Sequence, residues 1–307
     1  MSDDAAGEPR ERAHEGFDAD AYRADSFEGW EAAAAGWRRH ERMMREFAAP
    51  VSHWLIEAVA PQPGERLLEL AAGLGETAML AAELVAPHGG VLVSDQAEAM
   101  LAGARERAQE LGLDNVEFVQ LNAESIDLPL ASVDAAVCRW GYMLMADPAA
   151  ALAETRRVLR PGGRLALAVW DEAARNPWLA LPARELIERG LAPAPDAQQQ
   201  QEQRAAVGPP GPFALAGRER LRTLLEQAGF LDVEVQALEL LRRHASFAEL
   251  WQTTLDLSRP LHDAVLSRPP EEVAAIEASL AERFVAYAAA DGSLAIPART
   301  LVARAGA

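Results

Sequence analysis

Leu67-Leu68-Glu69-Leu70-Ala71-Ala72-Gly73-Leu74-Gly75-Glu76-Thr77 decides the reading of this chain: an apolar strand that carries an acid turns through two glycines into a helix. Gly73 and Gly75 lack a Cβ, so the backbone can turn sharply and a ligand can approach the amides that open the helix near Glu76. Such a turn holds a nucleotide-like cofactor.

Two cofactor types could use it. Gly73-Leu74-Gly75-Glu76-Thr77-Ala78 satisfies G-x-G-x-x-G/A, and Asp95 stands where dinucleotide folds place the acid that grips a ribose. Glu69 separates the two. A carboxylate close to the turn repels a pyrophosphate, whereas the amino-acid tail of S-adenosylmethionine brings an ammonium that a carboxylate attracts. The acid favours the sulfonium cofactor.

Outward from this turn, the spacing predicts alternating strands and helices. Strands are expected at Arg66–Ala72, Val91–Asp95, Val116–Gln120, Val133–Arg139 and Arg164–Trp170, with helices at Glu76–Val85, through Met100 to Leu111, and around Leu152–Leu159. That rhythm gives a doubly wound α/β fold with right-handed crossovers. Before it, Phe27–Ala60 is helical with an interruption at Pro50. After it come a helix near Leu181–Gly190 and a Pro/Gln/Gly stretch, including Gln198–Gln201, that reads as a mobile loop. A helix at Glu219–Ala228 and a strand at Val233–Leu240 follow. Helices opening at Ser246 and spanning Pro270–Ala289, then a final strand at Arg299–Arg304, complete the pattern.

The chain has 307 residues, 50% of them hydrophobic, and 29 basic against 47 acidic residues for a formal charge of -18. A surface this acidic disfavours nucleic-acid and membrane-surface partners. Every basic residue is Arg, so a P-loop lysine and Schiff-base chemistry are excluded. Cys138 is the sole cysteine, which leaves no intramolecular disulfide, Cys-rich zinc site or iron–sulfur cluster, and no metal site is expected. The acidic N-terminus has no apolar core segment, and no run approaches the ~18 apolar residues of a membrane helix. The sequence reads as a soluble cytoplasmic protein with residues 1–16 disordered.

Several landmarks in order resemble the class I S-adenosylmethionine-dependent methyltransferases, in particular the branch of the ubiquinone/menaquinone C-methyltransferases and other small-molecule methyltransferases. They are Glu69-Leu-Ala-Ala-Gly73-Leu-Gly75, with Ala71 in place of the first glycine; Asp95-Gln96 followed by Met100-Leu101; Asn122-Ala123-Glu124; Val133-Asp134; and Arg157-Val158-Leu159-Arg160-Pro161-Gly162-Gly163. The resemblance implies a seven-stranded, mainly parallel sheet with its last strand antiparallel, under a cap of N-terminal helices and C-terminal insertions. The implied division is cap helices at 17–60, an S-adenosylmethionine-binding core at 61–170, an insertion or lid at 171–218, and strands with a helical insertion (about 246–290) at 219–307.

It also implies site roles. Glu69 would meet the methionine ammonium, with Ala71, Gly73 and Gly75 shaping the turn. Asp95 would accept the ribose hydroxyls, Gln96 and Met100 would flank the adenine, and Asn122 and Ala123 would border its amino edge. Arg139 and Trp140 would face the sulfonium. Apart from the resemblance, Trp37 is either helix-packing core or a lid over the sulfonium. His40 is either a solvated or structural histidine or a base, and Tyr142 either core packing or an acceptor-orienting or basic group; these are the candidate bases, although an activated methyl donor makes a base optional. Trp178, Phe213, Phe247 and Trp251 are either an acceptor pocket or cap packing. The implied activity is methyl transfer to a small organic acceptor, with a homodimer left open. The competing readings are a non-catalytic S-adenosylmethionine-binding protein and, against the sign of Glu69, a nicotinamide-dependent oxidoreductase.

Overall fold

The computed structural model describes residues 17–193 and 209–307. The disorder expected of residues 1–16 and the loop at Gln198–Gln201 lie outside the described residues. Strand β1 (Arg66–Glu69) occupies the middle of the sheet, with Leu68 opposite Leu92 of β2 (Gly90–Asp95) and Ala136 of β4 (Val133–Arg139). Leu67 and Leu68 are both wholly buried, as successive residues must be in a strand covered on both faces. With β3 (Val116–Gln120), β5 (Leu159–Trp170), β6 (Leu231–His244) and β7 (Leu294–Gly306), the seven strands run in the order β3-β2-β1-β4-β5-β7-β6. β7 pairs antiparallel with both β5 and β6, and the other pairings are parallel. The expected doubly wound sheet with an antiparallel last strand is therefore present. Its strand order reverses between β1 and β4, where open α/β sheets bind ligands.

Helices α3 (Glu76–Val85), α4 (Glu98–Leu111) and α5 (Pro148–Val158) make the crossovers, preceded by α1 (Ala19–Arg39) and α2 (Glu41–Val59). Val51, Leu55 and Val59 of α2 are fully buried at successive four-residue steps, each side chain stabilising the fold by about 1.5–3 kcal/mol. The expected interruption at Pro50 does not occur; the break lies at His40. Pro50 and Glu46 are exposed, so the carbonyl deprived of its proline partner faces water, while Phe47, Ala48 and Val51 bury the opposite face. α1 also starts at Ala19 rather than Phe27, because Asp18 caps it by accepting from the amides of Asp20 and Ala21.

After β5 the chain builds a cap. α6 (Pro177–Glu188) and α8 (Phe247–Leu257) each pack with α9 (Arg259–Leu266) and α10 (Pro270–Phe284), while α7 (Arg218–Gln227) lies against β6. The cap has its own core of Leu186, Trp251, Leu261, Val265, Ile276 and Phe284. Three helices stand where two were expected between β6 and β7. The additional helix is α9, in which Pro260 occupies a first-turn position that needs no N–H donor.

α1 is fastened across the end of the sheet. Ala97, at the N-cap of α4, offers no side-chain cap, and Glu31 of α1 fills that role by accepting from the amides of Glu98 (2.5 Å) and Ala99 (3.2 Å). Tyr22 donates to the Leu144 carbonyl (2.8 Å), Arg23 pairs with Glu124 (2.7 Å), and Gln96 donates to Ser26 (3.0 Å). Among the described residues no helix is long and apolar enough to cross a membrane. Glu31→Ala is expected to cost about 1 kcal/mol by uncapping α4. It should also speed amide exchange throughout α1, which thermal denaturation and hydrogen-exchange mass spectrometry will show.

Candidate active site

Glu69 and Asp95 end the neighbouring strands β1 and β2, so both carboxylates reach the carboxyl edge of the sheet beside the glycine turn. Glu69 is buried, and its Oε2 accepts from the Ala78 amide in the first turn of α3 (2.8 Å). Burial pushes its carboxyl up to about 7, against the opposing pull of the Arg139 charge, the Ala78 amide and the Thr77 hydroxyl. Asp95 accepts from the Gly73 amide (2.8 Å) and the Ala97 amide (2.9 Å). Burial raises its carboxyl too, opposed by the amides of Ala97, Gly73 and Gln96. The acids therefore secure the turn as well as border it.

The two glycines do different work. Gly73, at φ 56°, has open space where a Cβ would stand, and it borders the cavity. Gly75, at φ 76°, lies beneath the turn, where a Cβ would come within 3.0 Å of Met79 and 3.1 Å of Ala104. Ala71 is also left-handed, at φ 50°. Its methyl is accommodated because Gly141 has no side chain: a Cβ there would lie 2.6 Å from that of Ala71.

Glu69, Ala71, Gly73, Asp95, Gln96, Met100, Asn122, Ala123, Arg139, Trp140 and Trp37 all border one cavity; Gly75, expected with them, does not. Asn122 uses its side-chain oxygen to accept from the Glu124 amide (2.9 Å), leaving one lone pair of that oxygen for a ligand. Arg139 donates to Ser52 (2.8 Å), pairs with Glu76 and lies 5.4 Å from the Trp140 ring. Trp140 holds φ 61°, unusual for so large a residue, with its indole donating to Thr300 (3.0 Å) and stacked 4.2 Å from Trp170. The buried Trp37 indole N–H has no partner among the described residues.

The candidate bases are elsewhere. His40 contacts Asp256 of α8 through its Nε2 (2.8 Å) and does not border the cavity. Tyr142 is fully buried and donates to Thr155 (2.6 Å), its hydroxyl held well above the ordinary range by burial. In both cases a partner on another helix claims the polar atom, which spacing alone does not reveal. Conversely, Tyr22, Arg23, Ser26 and Glu124 border the cavity unanticipated. Tyr22, Ser26, Trp30 and Trp37 recur at helical spacing, and the Asp18 cap was the readable sign that this helix starts early enough to carry them.

On the far side of Trp140, a buried aromatic cluster fills the space between sheet and cap. Trp170 meets Trp178 edge-on (5.2 Å), and Phe47 touches Trp140, Trp170 and Trp178. Arg242 is 2% exposed and lies 4.4 Å from the Trp178 ring and 5.9 Å from that of Phe47. It has no carboxylate partner among the described residues, and burial lowers its pKa to about 10. Its Nε donates to His244 Nε2 (3.0 Å), while Arg242 Nη1, His244 Nδ1 and Trp178 Nε1 are buried without partners. Cation–π contact returns ~0.5–2 kcal/mol, whereas burying an ion costs several kcal/mol, so the rings do not offset the burial.

The methyltransferase domain family matches residues 61–229, more than half of the chain. The chain belongs to this family. It is 33% identical to the ubiquinone/menaquinone biosynthesis C-methyltransferase UbiE of Pasteurella multocida over 123 residues, 40% of this chain and 46% of that one. It is 33% identical to the aklanonic acid methyltransferase DauC of Streptomyces sp. strain C5 over 127 residues, 41% of this chain and 58% of that one. The chain thus spans about half the length of these curated relatives. Among solved structures, the YcgJ protein of Bacillus subtilis shares the fold with TM-score 0.53 and 17% identity, covering 83% of this chain and 97% of its own. The [4+2]-cyclase SpnF does so with TM-score 0.50 and 21% identity, covering 84% and 80%.

S-adenosylmethionine, the cofactor of this family, fits the residues present. The cavity sets Glu69, Glu76 and Asp95 against Arg139, with Arg23 and Glu124 cancelling, so it suits a net cation. The unpartnered Trp37 N–H and the open side of Gly73 offer an acceptor-seeking donor and room for close approach. Gly141→Ala is expected to destabilise the protein by about 1–3 kcal/mol through overpacking. Ala71→Gly in the same chain should recover part of the loss, and urea denaturation of the two single variants and the double variant will measure the coupling.

Proposed function

We propose that the protein transfers a methyl group from S-adenosylmethionine to a small organic acceptor. One observation carries the reading: two buried carboxylates at adjacent strand ends flank a glycine turn inside an acid-rich cavity. Glu69 would hold the ammonium, the α3 amides the carboxylate, and Asp95 the ribose hydroxyls through lone pairs not used by Gly73 and Ala97. Gln96 and Met100 would flank the adenine, with Asn122 and Ala123 at its amino edge. When bound, the sulfonium supplies an already activated methyl group. The chain's part is to orient the partners for in-line attack and to exclude water, with Trp37, Trp140 and the fastened α1 closing the site. With His40 and Tyr142 both engaged elsewhere, the acceptor arrives as an anion or with a free lone pair.

SpnF, a [4+2]-cyclase, shares this fold, so the fold by itself does not decide between transfer and binding. Incubation with methyl-labelled S-adenosylmethionine and a panel of small carbon, oxygen and nitrogen acceptors is expected to label at least one of them. Tight binding without labelling of any acceptor would favour the non-catalytic reading.

Two further outcomes are expected. Asp95→Asn should weaken S-adenosylhomocysteine binding about 10–100-fold, the loss of one or two charge-assisted hydrogen bonds, and calorimetry will measure it. Binding should also depend on pH. The Glu69 carboxyl, raised to about 7 in the free protein, must ionise to meet an ammonium, so affinity falls as pH drops below that value, by about tenfold per unit. At higher pH the ligand's own ammonium deprotonates and closes the bell. Glu69→Gln should bind more weakly and lose the acid limb, and calorimetry between pH 5.5 and about 9 will distinguish the profiles.

A further inference from the structure

Resting on the methyl-transfer reading, we propose that Arg242, His244 and Trp178 form an anion subsite that holds the acceptor as a planar aromatic carboxylate. Three buried N–H donors without acceptors among the described residues belong to one contiguous cluster: Arg242 Nη1, His244 Nδ1 and Trp178 Nε1. Since His244 Nε2 accepts from Arg242, its proton lies on Nδ1, which makes that atom a donor as well. A group of donors without acceptors is complementary to a ligand that only accepts.

The cap shows what a structural buried charge looks like in this protein. Glu185 is also 2% exposed, yet it is met by Arg189 (2.5 Å), Arg283 (2.9 Å) and Ser279 (2.9 Å). Arg242 has no such set among the described residues. Buried charges are ordinarily paired, and an anion arriving from outside would supply the partner that the described residues lack.

The position fits an acceptor. Trp140, Trp170 and His244 lie at the carboxyl ends of β4, β5 and β6, along the same edge of the sheet as Glu69 and Asp95. Trp140 borders the cofactor cavity and stacks on Trp170, which meets Trp178, over which Arg242 lies. The cluster thus connects to the cavity lining through ring contacts that begin at Trp140. Phe47, Trp140 and Trp170, already packed on one another, supply aromatic surface beside the donors, which suits an aromatic body attached to the carboxylate.

The test titrates 2-naphthoate and 2-naphthamide into the full chain, with and without saturating S-adenosylhomocysteine, by calorimetry and tryptophan fluorescence. The carboxylate is expected to bind about 10–100-fold more tightly than the amide. Arg242→Met should abolish that preference while leaving S-adenosylhomocysteine affinity unchanged, and Arg242→Lys should keep part of it. Arg242→Met should also raise the unliganded melting temperature, because an unpaired buried charge is removed. Equal affinity for acid and amide, no binding of either, or a preference that survives Arg242→Met would overturn the subsite. So would a melting temperature lowered by Arg242→Met, which would make Arg242 a structural residue. Failure of S-adenosylhomocysteine to bind would instead strike the methyl-transfer reading, and the carboxylate arm run without it judges the subsite separately.

Discussion

Two carboxylates taken out of water at the ends of adjacent strands, each bonded to backbone amides around the turn between them, set the conditions for the rest of this molecule. Glu69 grips the first turn of α3 through the Ala78 amide, and Asp95 grips Gly73 and the approach to α4 through Ala97. Each acid costs desolvation that a few amides, and for Glu69 also the Arg139 guanidinium, only partly offset, which is why both carboxyls are held above their ordinary range. A site built this way is short of positive charge. A cationic ligand relieves the deficit, and a pyrophosphate would deepen it.

The carboxyl edge of the sheet divides at the reversal of strand order. On one side, β1 and β2 present acids and bare backbone, suited to a polar cofactor. On the other, β4, β5 and β6 present Trp140, Trp170 and Arg242, two large rings and a buried charge. Trp140 stands at the seam, its backbone in a left-handed conformation that costs about 1–3 kcal/mol and survives only where the surroundings over-determine it. The bond to Thr300, the stack on Trp170 and the contact with Phe47 do so from three different elements.

The central pattern was readable because parallel strands buried on both faces must be almost continuously apolar, and because a strand-to-helix turn around a ligand must be small. Leu67 to Gly75 states both conditions within a few residues. The errors share one physical origin. Pro50 sits on the wet face of α2, so a residue that breaks isolated helices is tolerated there. His40 and Tyr142 are taken by Asp256 and Thr155, partners remote along the chain or on another element. Strand β6, expected to stop at Leu240, continues to His244, and the alternation of buried Leu240, Arg242 and His244 with exposed Leu241 and Arg243 was legible as a strand only to a reader willing to bury an arginine.

By itself the sequence determined the alternating sheet and helices, the glycine turn between strand and helix, the acids at β1 and β2 and the sign of charge they prefer, because these follow from periodicity and spacing within short segments. The tertiary structure alone decided which polar atoms remain without partners. It spends His40 and Tyr142 on structural bonds, lets Gly141 make room for Ala71, brings α1 over the cavity through Glu31, and leaves Arg242 buried among rings. Whether a charged or polar group is satisfied depends on neighbours supplied by distant parts of the chain, and that information exists only once the chain has folded.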